Sequence, residues 1–428
     1  MVMNGDKFLR PGFLGLFLLA LLAFFLGACR QPEVQVSTGS LEQKAREIHK
    51  KIVTVDTHCD TAMMLLRGNW NPAERHDPEA PGSGKVDLPR MKEGGLDAEF
   101  FAAFVGQGPR TEQGYAQARK RTEELIQAVK NMVQANSSLI GLALNPEDAY
   151  RLKKQNKLIA FLGIENGYAI GRDLGLVKYF YDQGVRYITL CHSSDNDICD
   201  SSTDRAEPED KGLSDFGRQV VRECNRVGMI IDISHASDRS FFDVLEASAA
   251  PIIASHSCVR AVCDNPRNLT DDMIKALAAK GGVIQICFLS AYVKPPQPNP
   301  ERDRALAEFR AKYGSWRNVQ DEEIRRKIME EMQELNRKFP ADLATVQDLV
   351  DHIDHVVRLV GVDYVGIGTD FDGGGGVKGC NDVSQMINVT VELLRRGYSP
   401  KDVEKIWGKN FFRVFNRVQE VARRLNQS

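Results

Sequence analysis

The sequence predicts an α/β fold of the (β/α)8 TIM-barrel type, and three observations carry the prediction. Beyond residue 45, short apolar runs rich in β-branched residues alternate with longer amphipathic stretches. Eight such runs occur, each continuously apolar rather than alternating, which is the pattern of parallel strands covered on both faces by crossover helices. Six of the eight end on or beside a histidine or a carboxylate, at the strand ends where barrels of this type gather their chemistry.

Taken in order, the chain opens with Lys7 and Arg10 ahead of an apolar stretch from Phe13 to Leu26, closed by Leu26-Gly27-Ala28-Cys29. A basic start, a short apolar centre and small residues at the exit read residues 1–28 as an export signal. The stretch falls short of the ~20 residues that span a bilayer. Leu-Gly-Ala-Cys resembles a bacterial lipobox, so Cys29 is expected to carry lipid and to become the new N-terminus. Residues 29–44 would then tether the remainder to a bacterial membrane, the outer one being favoured because Arg30 rather than Asp follows the cysteine.

The barrel is expected over 45–428. Its strand runs are Ile52 to Thr57, Leu96 to Val105, Leu158 to Ile164, Val185 to Cys191, Met229 to Ser234, Pro251 to Ser255, Gly282 to Phe288 and Tyr364 to Thr369. Helical spacing marks Thr111 to Gln134, Leu213 to Arg226, Asp271 to Lys280 and Val346 to Val360 between them. Between the seventh and eighth runs lies a charged insertion, 301–338. Its apolar positions (Leu306, Phe309, Tyr313, then Ile324, Ile328, Met332, Leu335) suggest two helices. They would be a solvated outer pair, a wall of the pocket or a contact with a second subunit. No repeat and no Pro/Ser-rich linker divides the chain. Eight cysteines besides Cys29 are scattered, so buried thiols and disulfides both stay open.

The charge balance, 56 Lys plus Arg against 58 Asp plus Glu, leaves a formal −2 and no basic surplus for nucleic acid. Small molecules and other proteins remain as partners.

Chemistry concentrates at the strand ends. His58, His192, His235 and His256 each stand at the end of a run, Glu165 ends the third and Asp370 the eighth, so all six face one mouth in a barrel. His58 and Asp60 share one side of an extended backbone, although a helix cap or an ion pair uses the same spacing. Glu165 follows an apolar strand, where an uncompensated carboxylate is costly; capping the next helix is its competing role. Three histidines and two carboxylates at one barrel end favour a metal site. Nitrogen and oxygen donors without a cysteine cluster suit Zn²⁺, with Mn²⁺ or Co²⁺ open. Five donors exceed the needs of one catalytic zinc, which points to two ions sharing a carboxylate, with Glu165 as the bridge. Gly373 to Gly376 lacks the Lys-Ser/Thr of a phosphate loop and reads as a mobile loop near the site. His352 and His355 read as outer-face residues of a helix.

Six motifs then make a resemblance specific: Asp56-Thr57-His58-Cys59-Asp60, Gly163-Ile164-Glu165-Asn166-Gly167, Thr189-Leu190-Cys191-His192-Ser193, Asp232-Ile233-Ser234-His235, Ser255-His256-Ser257 and Gly368-Thr369-Asp370-Phe371-Asp372-Gly373. In order and strand position they resemble the membrane (renal) dipeptidase family of zinc peptidases, peptidase family M19, from about residue 45 to 420. Pro266-Arg267-Asn268 and Gly408-Lys409-Asn410 agree. The resemblance implies an amidohydrolase-like barrel that hydrolyses dipeptides by a hydroxide bridging two zinc ions. His58, Asp60 and Glu165 would hold one ion, and Glu165, His235 and His256 the other. It implies Asp370 as general base and acid, His192 as an oxyanion donor in contact with substrate, and Arg267 as the clamp on the substrate's terminal carboxylate. It also implies a homodimer.

Two other readings stand beside it. A related barrel amidohydrolase would act on a cyclic amide or a lactone, but commonly shows His-x-His on the first strand and a carboxylated lysine on the fourth, where this chain has His-x-Asp and no lysine. A lipoprotein that uses its metal only to capture ligand would have no need of Asp370 and His192.

Overall fold

Eight parallel strands pair in the order β1-β2-β4-β5-β6-β7-β8-β9 in the computed structural model, which describes residues 38–204, 206, 209–314, 319 and 321–427. The export signal, Cys29 and the first part of the tether lie outside those residues. The strands are β1 (Val55–Cys59), β2 (Ala98–Phe104), β4 (Leu158–Glu165), β5 (Val185–Thr189), β6 (Ile230–Asp232), β7 (Ile253–Ser257), β8 (Val283–Ile286) and β9 (Val365–Ile367). A ninth, β3 (Ile140–Leu142), pairs only with the start of β4 and has no counterpart among the predicted runs. β9 returns to β1 through a parallel bridge, Cys59 to Phe371, flanked by hydrogen bonds from Asp60 N to Phe371 O at 2.8 Å and from Asp370 N to His58 O at 3.0 Å. That closure is what brings the ends of the first and last strands together.

Register faults aim the functional side chains. On β1, Asp56 pairs with Glu99 and Cys59 with Phe101, so three residues of β1 face two of β2. β7 repeats this, with Ala254 and Ser257 opposite Ile284 and Ile286 of β8. An extra residue in a strand inverts the alternation beyond it. Val55 thus packs in the lower interior, His58 and Asp60 turn to the mouth, and Cys59 points to the outer layer of apolar residues.

The opposite end is shut by the C-terminal helix Asn410–Leu425. Its Phe411, Val414, Phe415 and Val418 recur at helical spacing and pack on Val55, Ala98, Phe100, Phe161 and Tyr187. Crossover helices begin at hydroxyl caps, Ser214, Ser237, Thr270 and Thr345, each accepting from a backbone N–H in the first turn. The eight described cysteines are free and buried, which excludes the disulfide alternative for them. The insertion forms two helices, Pro300–Tyr313 and Glu322–Lys338, in which Phe309 and Ile328 are buried while Ile324 is half exposed. Gln333 Nε2 donates to Glu79 O at 2.6 Å, so the insertion meets the segment after β1.

Two expectations are corrected. The tether, expected to be without regular structure over Gln31 to Leu41, is helical from Thr38, because Leu41, Ala45 and Ile48 form an apolar stripe on the helix Thr38–Lys51. His352 is fully buried, not on an outer face: Val259 N donates to its Nδ1 at 3.0 Å, and its Nε2 meets Val293 O at 2.8 Å.

His49 on that first helix makes stability depend on pH. Its Nδ1 donates to Gly95 O at 2.9 Å. Its Nε2 lies 2.6 Å from the Thr390 hydroxyl, which already accepts from Trp407 Nε1 at 2.6 Å. Gly95 O can only accept, so Nδ1 carries the proton, and in the neutral ring Nε2 accepts from the Thr390 hydroxyl. Burial lowers its pKa to about 4. Above pH 6.5 neither the folded nor the unfolded state protonates the ring. Between pH 6.5 and 4 the unfolded chain takes up a proton that the folded chain refuses, and stability falls by about 3 kcal/mol. Denaturant unfolding of wild type and His49→Gln should show the wild type losing that amount relative to the variant as pH drops from 7 to 4. Parallel curves would refute the assignment.

Candidate metal centre

Six strand ends deliver the side chains. β1 carries His58, with Asp60 just beyond it; β4 ends on Glu165; His192, His235 and Asp370 follow β5, β6 and β9; β7 carries His256. Glu165 sits at the centre with its two oxygens turned to different neighbours. Oε2 is 3.5 Å from His58 Nε2, whereas Oε1 is 3.1 Å from His235 Nε2, 3.5 Å from His256 Nε2 and 3.7 Å from His192 Nε2. His58 Nε2 also lies 3.7 Å from Asp60 Oδ2. Donor atoms fall within 4.8 Å of one another in three triplets: His58, Glu165 and His256; Glu165, His192 and His235; His58, Asp60 and Asp370. All are buried except His192, whose side chain is 25% exposed and lies with its ring 4.7 Å from that of Phe104.

The electrostatics ask for a cation. Burial, reinforced by neighbouring cationic groups, holds His235 and His256 well below the ordinary imidazole range, so both are neutral and offer lone pairs. Their Nε2 atoms are 2.9 Å apart. Burial also pushes the Asp60 and Asp370 carboxyls up, and the charge of Glu165 pushes each further. A divalent ion among these groups reinforces the first trend and reverses the second, favouring neutral imidazole and ionised carboxylate together. His58 Nε2 and Asp60 Oδ1 are buried without a hydrogen-bond partner, as groups awaiting such an ion would be. Imidazole nitrogen and carboxylate oxygen form a donor set that zinc accepts.

Arg267 reaches the same place from the loop after β7. It is 3% exposed, its Nη2 donates to His256 O at 3.2 Å, its Nε has no partner, and its guanidinium lies 5.3 Å from the Tyr292 ring. The glycine segment is tied down, contrary to the mobile loop expected. Gly373, Gly374 and Gly375 N–H groups all donate to Asp370 O, Gly376 N donates to Phe288 O, and Lys85 Nζ donates to Gly375 O at 2.6 Å.

Three supporting residues escaped the sequence reading. Tyr187 Oη meets His58 Nδ1 at 2.8 Å. Asp56 Oδ1 accepts from His58 N and Thr369 N, tying β1 to the end of β9. Asp232 does the same between β5, β6 and β7. Both aspartates are carboxylates within apolar strand runs, a signal that was present; Tyr187 carried none.

Residues 42–428 match the family described as membrane dipeptidase, peptidase family M19. Dipeptidase tcpJ of Claviceps purpurea (strain 20.1) is 32% identical over 375 residues, 86% of this chain and 77% of the relative. Dipeptidase aclJ of Aspergillus oryzae is 29% identical over 424 residues, 95% of this chain and 89% of the relative. The solved structure of the probable dipeptidase PvdM from Pseudomonas aeruginosa superposes with a TM-score of 0.75 at 31% identity, covering 90% of this chain and 100% of that one. A metallopeptidase from Rhodobacter sphaeroides, at 23% identity and a TM-score of 0.68, shares the fold over 86% of this chain and 99% of that one. A barrel whose buried mouth calls for a cation, matched along nearly its whole length, thus belongs to the membrane dipeptidase family M19 and is a metal-dependent dipeptidase.

Proposed function

We propose that the chain is a zinc dipeptidase with two ions, His58, Asp60 and Glu165 holding one and Glu165, His235 and His256 the other. The division of Glu165, one oxygen toward His58 and one toward His235 and His256, carries this reading. Ions held by these residues would supply a lowered pKa for water and polarisation of the scissile carbonyl.

The chain's own residues supply the rest. Asp370, buried and raised well above the usual carboxylate range, suits a group that takes a proton and returns it to the leaving amine. His192, the part-exposed imidazole whose Nε2 lies 3.7 Å from Glu165 Oε1, is the donor to the developing oxyanion. Arg267 holds the substrate's terminal carboxylate in a charge-assisted pair. With that clamp one residue from the scissile bond, longer peptides do not fit, and selection for dipeptides is geometric. Purified protein should hydrolyse simple dipeptides, lose the activity to chelator and regain it with zinc. Activity that survives complete removal of metal would exclude the reading.

Gly373 leaves no room for a side chain beside the two carboxylates. A Cβ there would stand 2.0 Å from Asp370 Oδ1 and 2.1 Å from Asp60 Oδ2, so Gly373→Ala must displace the proton carrier, a metal-ligand carboxylate, or both. A displacement of about 1 Å costs about 100-fold. Steady-state kinetics should show that loss in kcat/KM with the thermal midpoint little changed.

Export, anchoring through a lipidated Cys29 and assembly as a homodimer are part of the same proposal, supported by the sequence of residues 1–29 and by the family resemblance. Among the described residues no helix is long and apolar enough to cross a membrane. A Cys29→Ser chain that stays with the membrane fraction would count against the anchor.

A further inference from the structure

Asp232 accepts four hydrogen bonds. Its Oδ1 takes Ser234 N at 3.0 Å and Ser255 N at 2.7 Å, and its Oδ2 takes the Thr189 hydroxyl at 2.5 Å and the Ser255 hydroxyl at 2.6 Å. It is fully buried at the end of β6, and no metal-binding candidate is among its partners.

The consequence runs through Ser255. A hydroxyl has a single proton, and the 2.6 Å contact spends that of Ser255 on Asp232 Oδ2. The Ser255 oxygen can then only accept from its remaining neighbours. One of these is His256 Nδ1, at 2.8 Å, which must be the protonated nitrogen. His256 therefore carries its lone pair on Nε2, the atom 3.5 Å from Glu165 Oε1. Ser234 completes the arrangement: its hydroxyl oxygen accepts from His256 N at 3.0 Å and lies 3.4 Å from Ser255 Oγ, holding the backbone of His256 in place. A buried ring that could choose either tautomer would spend part of its time with a proton facing the metal. A fixed donor on the far nitrogen removes that choice.

We propose that Asp232 is a positioning residue that locks the tautomer of His256 through Ser255, keeping Nε2 free for a metal ion. The inference rests on the proposed metal-binding role of His256 and adds the device that makes the ring competent. Replacing Asp232 by asparagine puts an amide donor where Oδ1 or Oδ2 accepted. When that donor faces Ser255 Oγ, the hydroxyl turns its proton toward His256 Nδ1 and the ring is driven to the Nε2–H form. Ser255→Ala removes the relay and leaves the carboxylate.

The test uses the full mature chain with zinc alone as probe. Chelator-competition titration gives the affinities of the two sites. Nitrogen NMR of the metal-free chain, labelled at histidine, reads which ring nitrogen of His256 is protonated. In wild type the Nδ1–H form should dominate. Both variants should weaken one zinc site by about 10- to 100-fold, the range for lost outer-shell partners, leave the other site within about threefold, and shift the His256 nitrogen signals toward the other tautomer. A purely structural role predicts equal weakening of both sites with the Nδ1–H signals unchanged, and that result overturns the proposal. Two unaltered sites in Ser255→Ala overturn it as well, even if Asp232→Asn fails to fold. Wild type that binds no zinc overturns the metal reading and this inference with it.

Discussion

Glu165→Gln is expected to strip metal and activity together. Glu165 is the carboxylate that faces both groups of imidazoles, with Oε2 toward His58 and Oε1 toward His235 and His256. A carboxamide keeps the shape but replaces one oxygen by an NH₂ group, which presents hydrogens to the lone pairs and the ion on that side. The side chain also becomes neutral, so the proposed pair of cations would lose the anion between them. On the two-ion proposal, metal content should fall from two ions per chain to at most one. Each ion contributes several kcal/mol of charge stabilisation, and about 4 kcal/mol corresponds to a thousandfold in rate. Turnover of a simple dipeptide should therefore drop by more than about 1,000-fold. Atomic absorption and kinetics on one preparation decide it. A variant that keeps two ions per chain would show that Glu165 is not the bridge.

The strands were legible because burial on both faces leaves long apolar runs, and the barrel's rule that chemistry sits at strand ends made the histidines stand out. What resisted reading is physical. A bulge is a matter of register between two strands, and nothing in Asp56-Thr57-His58-Cys59 announces that three residues will face two. The pairing of Tyr187 with His58 spans 129 positions and arises only because β1 and β5 line one interior. β3 is three residues long and borrows its stability from the start of β4, so it has no periodicity to detect. His352 was a misreading rather than a missing signal: it stands three residues after Leu349 and four before Val356, both buried, and so lies on the buried stripe of its helix. The apolar neighbours, not the histidine itself, decide which face it occupies. His355 does stay half-buried, paired with Asp271 at 2.7 Å.

Asp370 poses the sharpest question, since its carboxylate stands within 4.8 Å of donor atoms of both His58 and Asp60 and could serve as a ligand or as the proton carrier. Asp370→Asn separates the two. The backbone there has φ +60 and is held by a bond from Asp370 N to His58 O and by three glycine N–H groups on Asp370 O. Asparagine tolerates that conformation, so the replacement preserves position while removing the ability to accept and release a proton. If Asp370 carries the proton, kcat falls by at least about 100-fold, and by up to about 10,000-fold. KM stays within a few-fold, because the proposed substrate contacts Arg267 and His192 are unaltered, and the metal content is retained. If Asp370 is instead a ligand, one ion leaves with the carboxylate and the loss of rate follows metal content. The directions of the shifts favour the first outcome. Asp60 and Asp370 are both raised by burial and by Glu165, and His58 opposes the shift of each, but Asp370 is pushed further by the neighbouring charge of Asp60. Of two adjacent carboxyls, the one whose surroundings resist ionisation more is the one suited to pass a proton.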